Sequence, residues 1–142
     1  VGDENWCAAP SVGARRFRGE LWAAMALPAH TVRMAIPHVQ SGQVVDLLQP
    51  SKEHPAEQTF ALFKSDELEV IRLYLPAGKS FPPHKVAGEI TVQCLQGKIE
   101  FGQDQKTTVL EAGQLLYLAG GVMHHLVGLE DATVLVTIVL KP

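Results

Sequence analysis

From Gln43 onward the chain is written almost entirely in short runs of β-forming residues broken by turn residues, and that spacing leaves little room for anything but strands. Val44–Leu48, Gln58–Phe63 and Leu68–Leu75 come first, separated by Gln49-Pro50, by His54-Pro55 and by Lys64-Ser65-Asp66. Farther on, Lys98–Phe101 and Thr107–Leu110 flank the polar turn Gly102–Gln105, a loop length that suits a hairpin with Ile99 and Phe101 facing inward. Gln114–Leu118, Val122–Val127 and Thr133–Leu140 complete the series. In the last of these, Val134, Val136, Ile138 and Leu140 form one wholly apolar face, with Thr133 and Thr137 on the other. About ten strands with no convincing helix predict an all-β fold, an antiparallel sandwich or barrel.

Composition supports a core and excludes some partners. The 142 residues suffice for one compact domain, and 46% are hydrophobic against 19% charged. A formal net charge of -3 gives no broad phosphate-binding surface, so nucleic acid is not an expected partner. No apolar run approaches the roughly 20 residues that span a bilayer, so no membrane partner is expected either. Cys7 and Cys94 lie far apart, which argues against a structural disulfide and makes a reducing cytoplasm the default.

Residues 1–36 read as a leader and 37–142 as the barrel. The leader holds Trp6, Trp22, Arg15, Arg16, Arg18 and the run Leu21–Leu27, with no strand alternation. A secretory signal is the sharper reading of basic residues before an apolar run. Against it, the run is as short as a signal core allows, Glu20 interrupts its approach, and no clean small-x-small cleavage site follows. The blander expectation is a mobile tail, or upstream sequence ahead of a true start at Met25 or Met34.

The stretch from Gly78 to Gly97 carries the strongest motif. Five residues separate Gly78 from His84, and Gly97 closes the stretch; later Gly113, Gly121 and His124 follow a second fixed spacing, with Lys98 to Ala112 between the two. This pair of motifs resembles that of the cupins. There the first reads Gly, five residues, His-x-His, three or four residues, Glu, six residues, Gly. The second reads Gly, five residues, Pro-x-Gly, two residues, His, three residues, Asn. The resemblance covers about residues 43 to 141 and implies a double-stranded β-helix, or jelly-roll, barrel.

It also implies a divalent metal, Fe, Mn, Zn or Ni, held inside the barrel by two histidines and a glutamate of the first motif and the histidine of the second. His84 and His124 match that set. Val86 stands at the second histidine position, Ile90 at the glutamate position, Ala119 at the proline and Gly128 at the asparagine.

Alternation fixes what surrounds the histidines. If His84 points inward, so do Val86 and, with the register kept across the turn, Ile90, Val92 and Cys94; His124 shares its face with Val122 and Leu126. Glu89 is one residue out of register. A bulge at Gly88 would turn it inward, giving His84, Glu89 and His124 the two-histidine, one-carboxylate arrangement of non-haem Fe(II) sites; otherwise Glu89 is solvated or caps a turn. Gln93 and His125 are expected to face outward. Cys94 reads as a small buried hydrophobe, the charges from Lys64 to Glu69 as a solvated strand end, and His30, His38 and His54 lie outside any recognisable spacing.

Three functions follow as expectations: a metal-dependent enzyme of dioxygenase or isomerase type acting on a small-molecule substrate, a metal-free barrel that binds a small-molecule ligand, or a structural or regulatory dimer. The resemblance implies a homodimer. Val70 and Tyr74, set opposite Ile71, Leu73 and Leu75, leave apolar surface on both faces of one strand for a partner to cover.

Overall fold

The computed structural model describes residues 36–140. The expected leader lies outside the described residues except for Ile36. Nine strands run β1 (Phe60–Lys64), β2 (Leu68–Leu75), β3 (Ser80–His84), β4 (Ile90–Gln96), β5 (Lys98–Gln103), β6 (Lys106–Glu111), β7 (Leu115–Leu118), β8 (His124–Gly128) and β9 (Ala132–Val139). They form two antiparallel sheets, one of five strands in the order β1-β2-β9-β4-β7 and one of four in the order β3-β8-β5-β6. The fold is the double-stranded β-helix. No helix among the described residues is long and apolar enough to cross a membrane.

The core sits between the sheets and follows from alternation. Leu73, Leu75, Ile90, Val92, Cys94, Val134 and Val136 project from the five-stranded sheet, and Ile99, Phe101 and Leu126 from the four-stranded one, all 2% exposed or less. Hydrophobic burial of this kind is worth about 1.5–3 kcal/mol for each large side chain. The chain passes from one sheet to the other between β4 and β5 at Gly97, whose φ of 75° and tight approach to the Asp131 carbonyl leave no space for a Cβ. The hairpin from β5 to β6 turns on Asp104-Gln105, with Asp104 at φ 51°, a conformation that aspartate tolerates.

The expected strand at Val44–Leu48 does not form. Asp46 Oδ1 accepts hydrogen bonds from the Leu48 and Gln49 amides, both at 2.9 Å, and Val44 is 92% exposed. A side-chain acceptor captures the amides that a strand would need.

Residues 40–59 instead form a strap over the outer face of β1 and β2, held by Arg72. The guanidinium, on a residue only 4% exposed, donates to the carbonyls of Leu47 (3.0 Å), Ala56 (2.9 Å) and Gln58 (3.2 Å) and lies over the Phe60 ring. Thr59 Oγ1 also accepts from the Tyr74 amide at 2.9 Å. The second face of β2 is thus covered, at Arg72, by the chain itself.

Candidate functional site

The site begins with two prolines. Pro82 and Pro83 have no N–H to donate, and the β3–β8 ladder breaks between Phe81 and His84. Phe81 pairs with Leu126 and His84 with His124, so three steps along β3 match two along β8. That extra residue changes the parity. Without it His84 would point away from the face that Phe81 shares with the core; with it, His84 turns inward opposite His124.

The two imidazoles meet edge to face, with ring centroids 4.3 Å apart and planes at 64°. Each is held in the same way. His84 Nδ1 is 2.8 Å from the Pro82 carbonyl and His124 Nδ1 2.9 Å from the Val122 carbonyl, the residue two positions earlier in both cases. A carbonyl only accepts, so Nδ1 carries the proton in both rings and Nε2 carries the lone pair. Both Nε2 atoms are shielded from solvent. His124 is 1% exposed and stacks on Phe101 at 5.5 Å and 11°, while His84 is only partly buried. Burial pushes both imidazoles below their usual pKa, opposed in part by the carbonyl hydrogen bonds, and the neighbouring His84 and His125 lower His124 further.

Ile90, Val92, Cys94 and Leu126 are buried in the core, and Val86, on the connection after β3, packs against it. The Cys94 thiol is directed at the Gln96 and Gly97 carbonyls, at 3.4 and 3.5 Å, and burial pushes its pKa up. It behaves as a buried hydrophobe with a weak hydrogen bond. His125 and Gln93 face outward; the His125 ring lies against Gly102, its partner on β5. His54 sits in the strap, its ring centroid 5.1 Å from that of Phe60.

Glu89 corrects the sequence reading. The bulge forms at Pro82-Pro83 rather than at Gly88, Ile90 keeps its inward place at 2% exposure, and Glu89 is exposed on the outer face. Its Oε1 accepts the Tyr117 hydroxyl at 2.7 Å, in a groove of about 150 Å³ that Thr91 and Thr137 also line. Among the described residues no three His, Cys, Asp or Glu side chains converge as a metal-holding group. Two imidazoles among apolar side chains do not fit the four-donor site that the motif resemblance implies.

Sequence reasoning missed two contributors. Phe101 was legible as an inward residue but not as the plate beneath His124. Arg72 reads in the sequence as one polar position in an apolar strand, a weak sign that it is held from outside.

Comparison with known proteins agrees with the architecture. The Cupin domain family model matches residues 71–140. Among solved structures, a conserved protein of unknown function from Streptococcus pyogenes is similar at 24% identity, TM-score 0.61, over 81% of this chain and 98% of its own. A cupin superfamily protein from Desulfitobacterium hafniense is similar at 17% identity, TM-score 0.58, over 65% of this chain and 95% of its own. KdgF from a Halomonas species is similar at 20% identity, TM-score 0.55, over 60% of this chain and 79% of its own. These likenesses are likenesses of fold. No curated protein matches the chain.

Proposed function

Because the chain belongs to the cupin family, its domain matched over residues 71–140, we propose that it binds a small molecule at the His84–His124 pair without a resident metal ion. The observation that carries this reading is the donor set. Val86 and Ile90 occupy the positions where the family motif has its other two first-motif ligands, and Ile90 is 2% exposed in the core. A divalent ion placed beside two neutral imidazoles in such surroundings would lack the carboxylate that offsets its desolvation.

Two imidazoles kept neutral by burial, each with Nδ1–H committed to a carbonyl, suit a ligand that brings its own hydrogen-bond donors on an apolar body. Small phenols and alcohols have that chemistry. The setting we infer is cytoplasmic, in keeping with Cys94 as a free buried thiol.

A second reading, the metal-dependent enzyme, draws on one feature. Histidines that bind metals are oriented by an Nδ1–H donated to a carbonyl or carboxylate, as both are here. Metal analysis of protein purified without chelators, joined to a thermal-shift screen with small phenols and alcohols, separates the two. Binding predicts metal far below one equivalent and ligand shifts that vanish in His84→Ala. One equivalent of Fe, Mn, Zn or Ni, lost in His84→Ala, overturns it in favour of the enzyme.

A further inference from the structure

The histidine pair belongs to a longer row. On β8, His124 pairs with His84 of β3 on one side and with Gln103 of β5 on the other, and Gln103 pairs in turn with Lys106 of β6. Residues directly opposite one another in a sheet share a face. Gln103 lies two positions after Phe101, which is 1% exposed and stacks against His124, so Gln103 and Lys106 project to the same inner face as the imidazoles. His84, His124, Gln103 and Lys106 thus cross the whole four-stranded sheet in one line. The next row inward, Phe81, Leu126, Phe101 and Thr108, is mainly apolar.

Exposure rises along that line, from His124 in the core through the half-buried Gln103 to the exposed Lys106. The inner face of β6 shows the same gradient, with Leu110 buried and Thr108 and Lys106 exposed. Among the described residues, the space between the sheets therefore opens to solvent toward the β5–β6 hairpin. A lysine on an edge strand often does no more than guard the edge against pairing. Two observations point further. Among the described residues Lys106 has no ion-pair partner, whereas Lys64 and Lys98 lie 3.3 Å and 3.2 Å from glutamates. It also heads a line of complementary groups: an ammonium, an amide that donates as well as accepts, and two imidazoles whose Nε2 atoms carry lone pairs. An ammonium and an amide N–H receive a carboxylate; an imidazole Nε2 receives a hydroxyl proton.

We propose, resting on the metal-free binding reading above, that the ligand is a small hydroxy acid of phenolic type, its hydroxyl donating to the histidine pair and its carboxylate held by Lys106 and the Gln103 amide. Neighbouring strands lie about 4.7–4.9 Å apart, so the backbones of His124 and Lys106, two strands apart, are separated by about 10 Å. The flexible lysine arm shortens that span to the reach of one substituted aromatic ring. The neutral imidazoles offer no charge to an anion, so Lys106 is what distinguishes a hydroxy acid from a plain phenol or alcohol at this site.

Calorimetric titration of the whole chain with phenol, benzoate and 4-hydroxybenzoate tests this, in the wild type and in Lys106→Gln, Gln103→Leu, Lys85→Gln and His84→Ala. Lys85, exposed and next to His84 but outside the row, controls for a general positive field. 4-Hydroxybenzoate should bind the wild type at least ~5-fold more tightly than phenol. That advantage should vanish in Lys106→Gln, shrink in Gln103→Leu, survive in Lys85→Gln and erode with added salt. Phenol should bind the wild type and Lys106→Gln alike. A lysine that only guards the edge would leave every affinity untouched by Lys106→Gln, and an equal loss in Lys85→Gln would reduce the effect to undirected attraction; either result overturns the proposal. Phenol bound without any gain from the carboxylate overturns the hydroxy acid alone and leaves the histidine site standing. No binding of any probe, or binding indifferent to His84→Ala, overturns the histidine reading and this proposal with it.

Discussion

His84 and His124 face each other across the β3–β8 pairing with ring centroids 4.3 Å apart, each fixed by the carbonyl two residues before it. Their apposition depends on one extra residue at Pro82-Pro83. Replacing that pair by residues able to donate would let β3 pair without a bulge and turn His84 outward.

Restoring the missing donors is the direct test of the pocket. Ile90 is 2% exposed, so Ile90→Glu alone buries a carboxylate and should destabilise the fold by on the order of 3 kcal/mol. With Val86→His added, Zn²⁺ or Mn²⁺ should recover the lost stability and bind at least ~10-fold more tightly than to the wild type. Calorimetric titration of the wild type and the double variant measures this. Equal affinities would mean that positions 86 and 90 do not reach the space between the histidines.

Glu89→Ala, in contrast, should leave metal and ligand binding at the histidine pair unchanged. Its effect appears elsewhere. The hydrogen bond to Glu89 pushes the Tyr117 phenol above its usual pKa, so the variant should move one phenolate transition to lower pH in an alkaline absorbance titration. A change in Zn²⁺ affinity instead would bring Glu89 back as a ligand.

Acid sensitivity follows from the same pair. Both imidazoles have folded-state pKa values lowered by burial, so the unfolded chain takes up protons first as pH falls. The stability they contribute is complete above the unfolded value near about 6.5 and is lost below it, until the folded state also protonates. Melting temperature should therefore fall more steeply between about pH 7 and 5 in the wild type than in His84→Gln. Equal slopes would refute the assignment.

Arg72→Met should release the strap while leaving the barrel folded. Carbonyls of Leu47, Ala56 and Gln58 lose a charged donor, a change worth ~2–3 kcal/mol, and limited proteolysis should cut first between residues 47 and 58. Arg72→Lys should give an intermediate rate, since one ammonium cannot span three divergent acceptors.

Much of this is legible in the sequence. β2 spans Leu68–Leu75 as the run of β-formers after Lys64-Ser65-Asp66 predicts, and Val134, Val136 and Ile138 of β9 are buried as read. The spacing of the motifs brings His84 and His124 together. Val44–Leu48 misled because its β-formers have no partner strand and Asp46 binds the local amides. Glu89 misled because Ile90 keeps its inward register against Leu118 and Ile138, which leaves Glu89 on the outer face. The stack of Phe101 under His124 involves two different strands, which periodicity along one strand does not report.

Arg72 is the second residue of the span that matches the family, yet the carbonyls that receive it lie at 47, 56 and 58, all upstream of that span. Inheritance and self-sufficiency thus have different borders in this chain. A graft of residues 71–140 onto another protein would carry both histidines and most of the core but would forfeit β1 and leave a guanidinium without its three carbonyl acceptors. The shortest portable piece starts near residue 40, and the strap is as much a part of the domain as any strand in it.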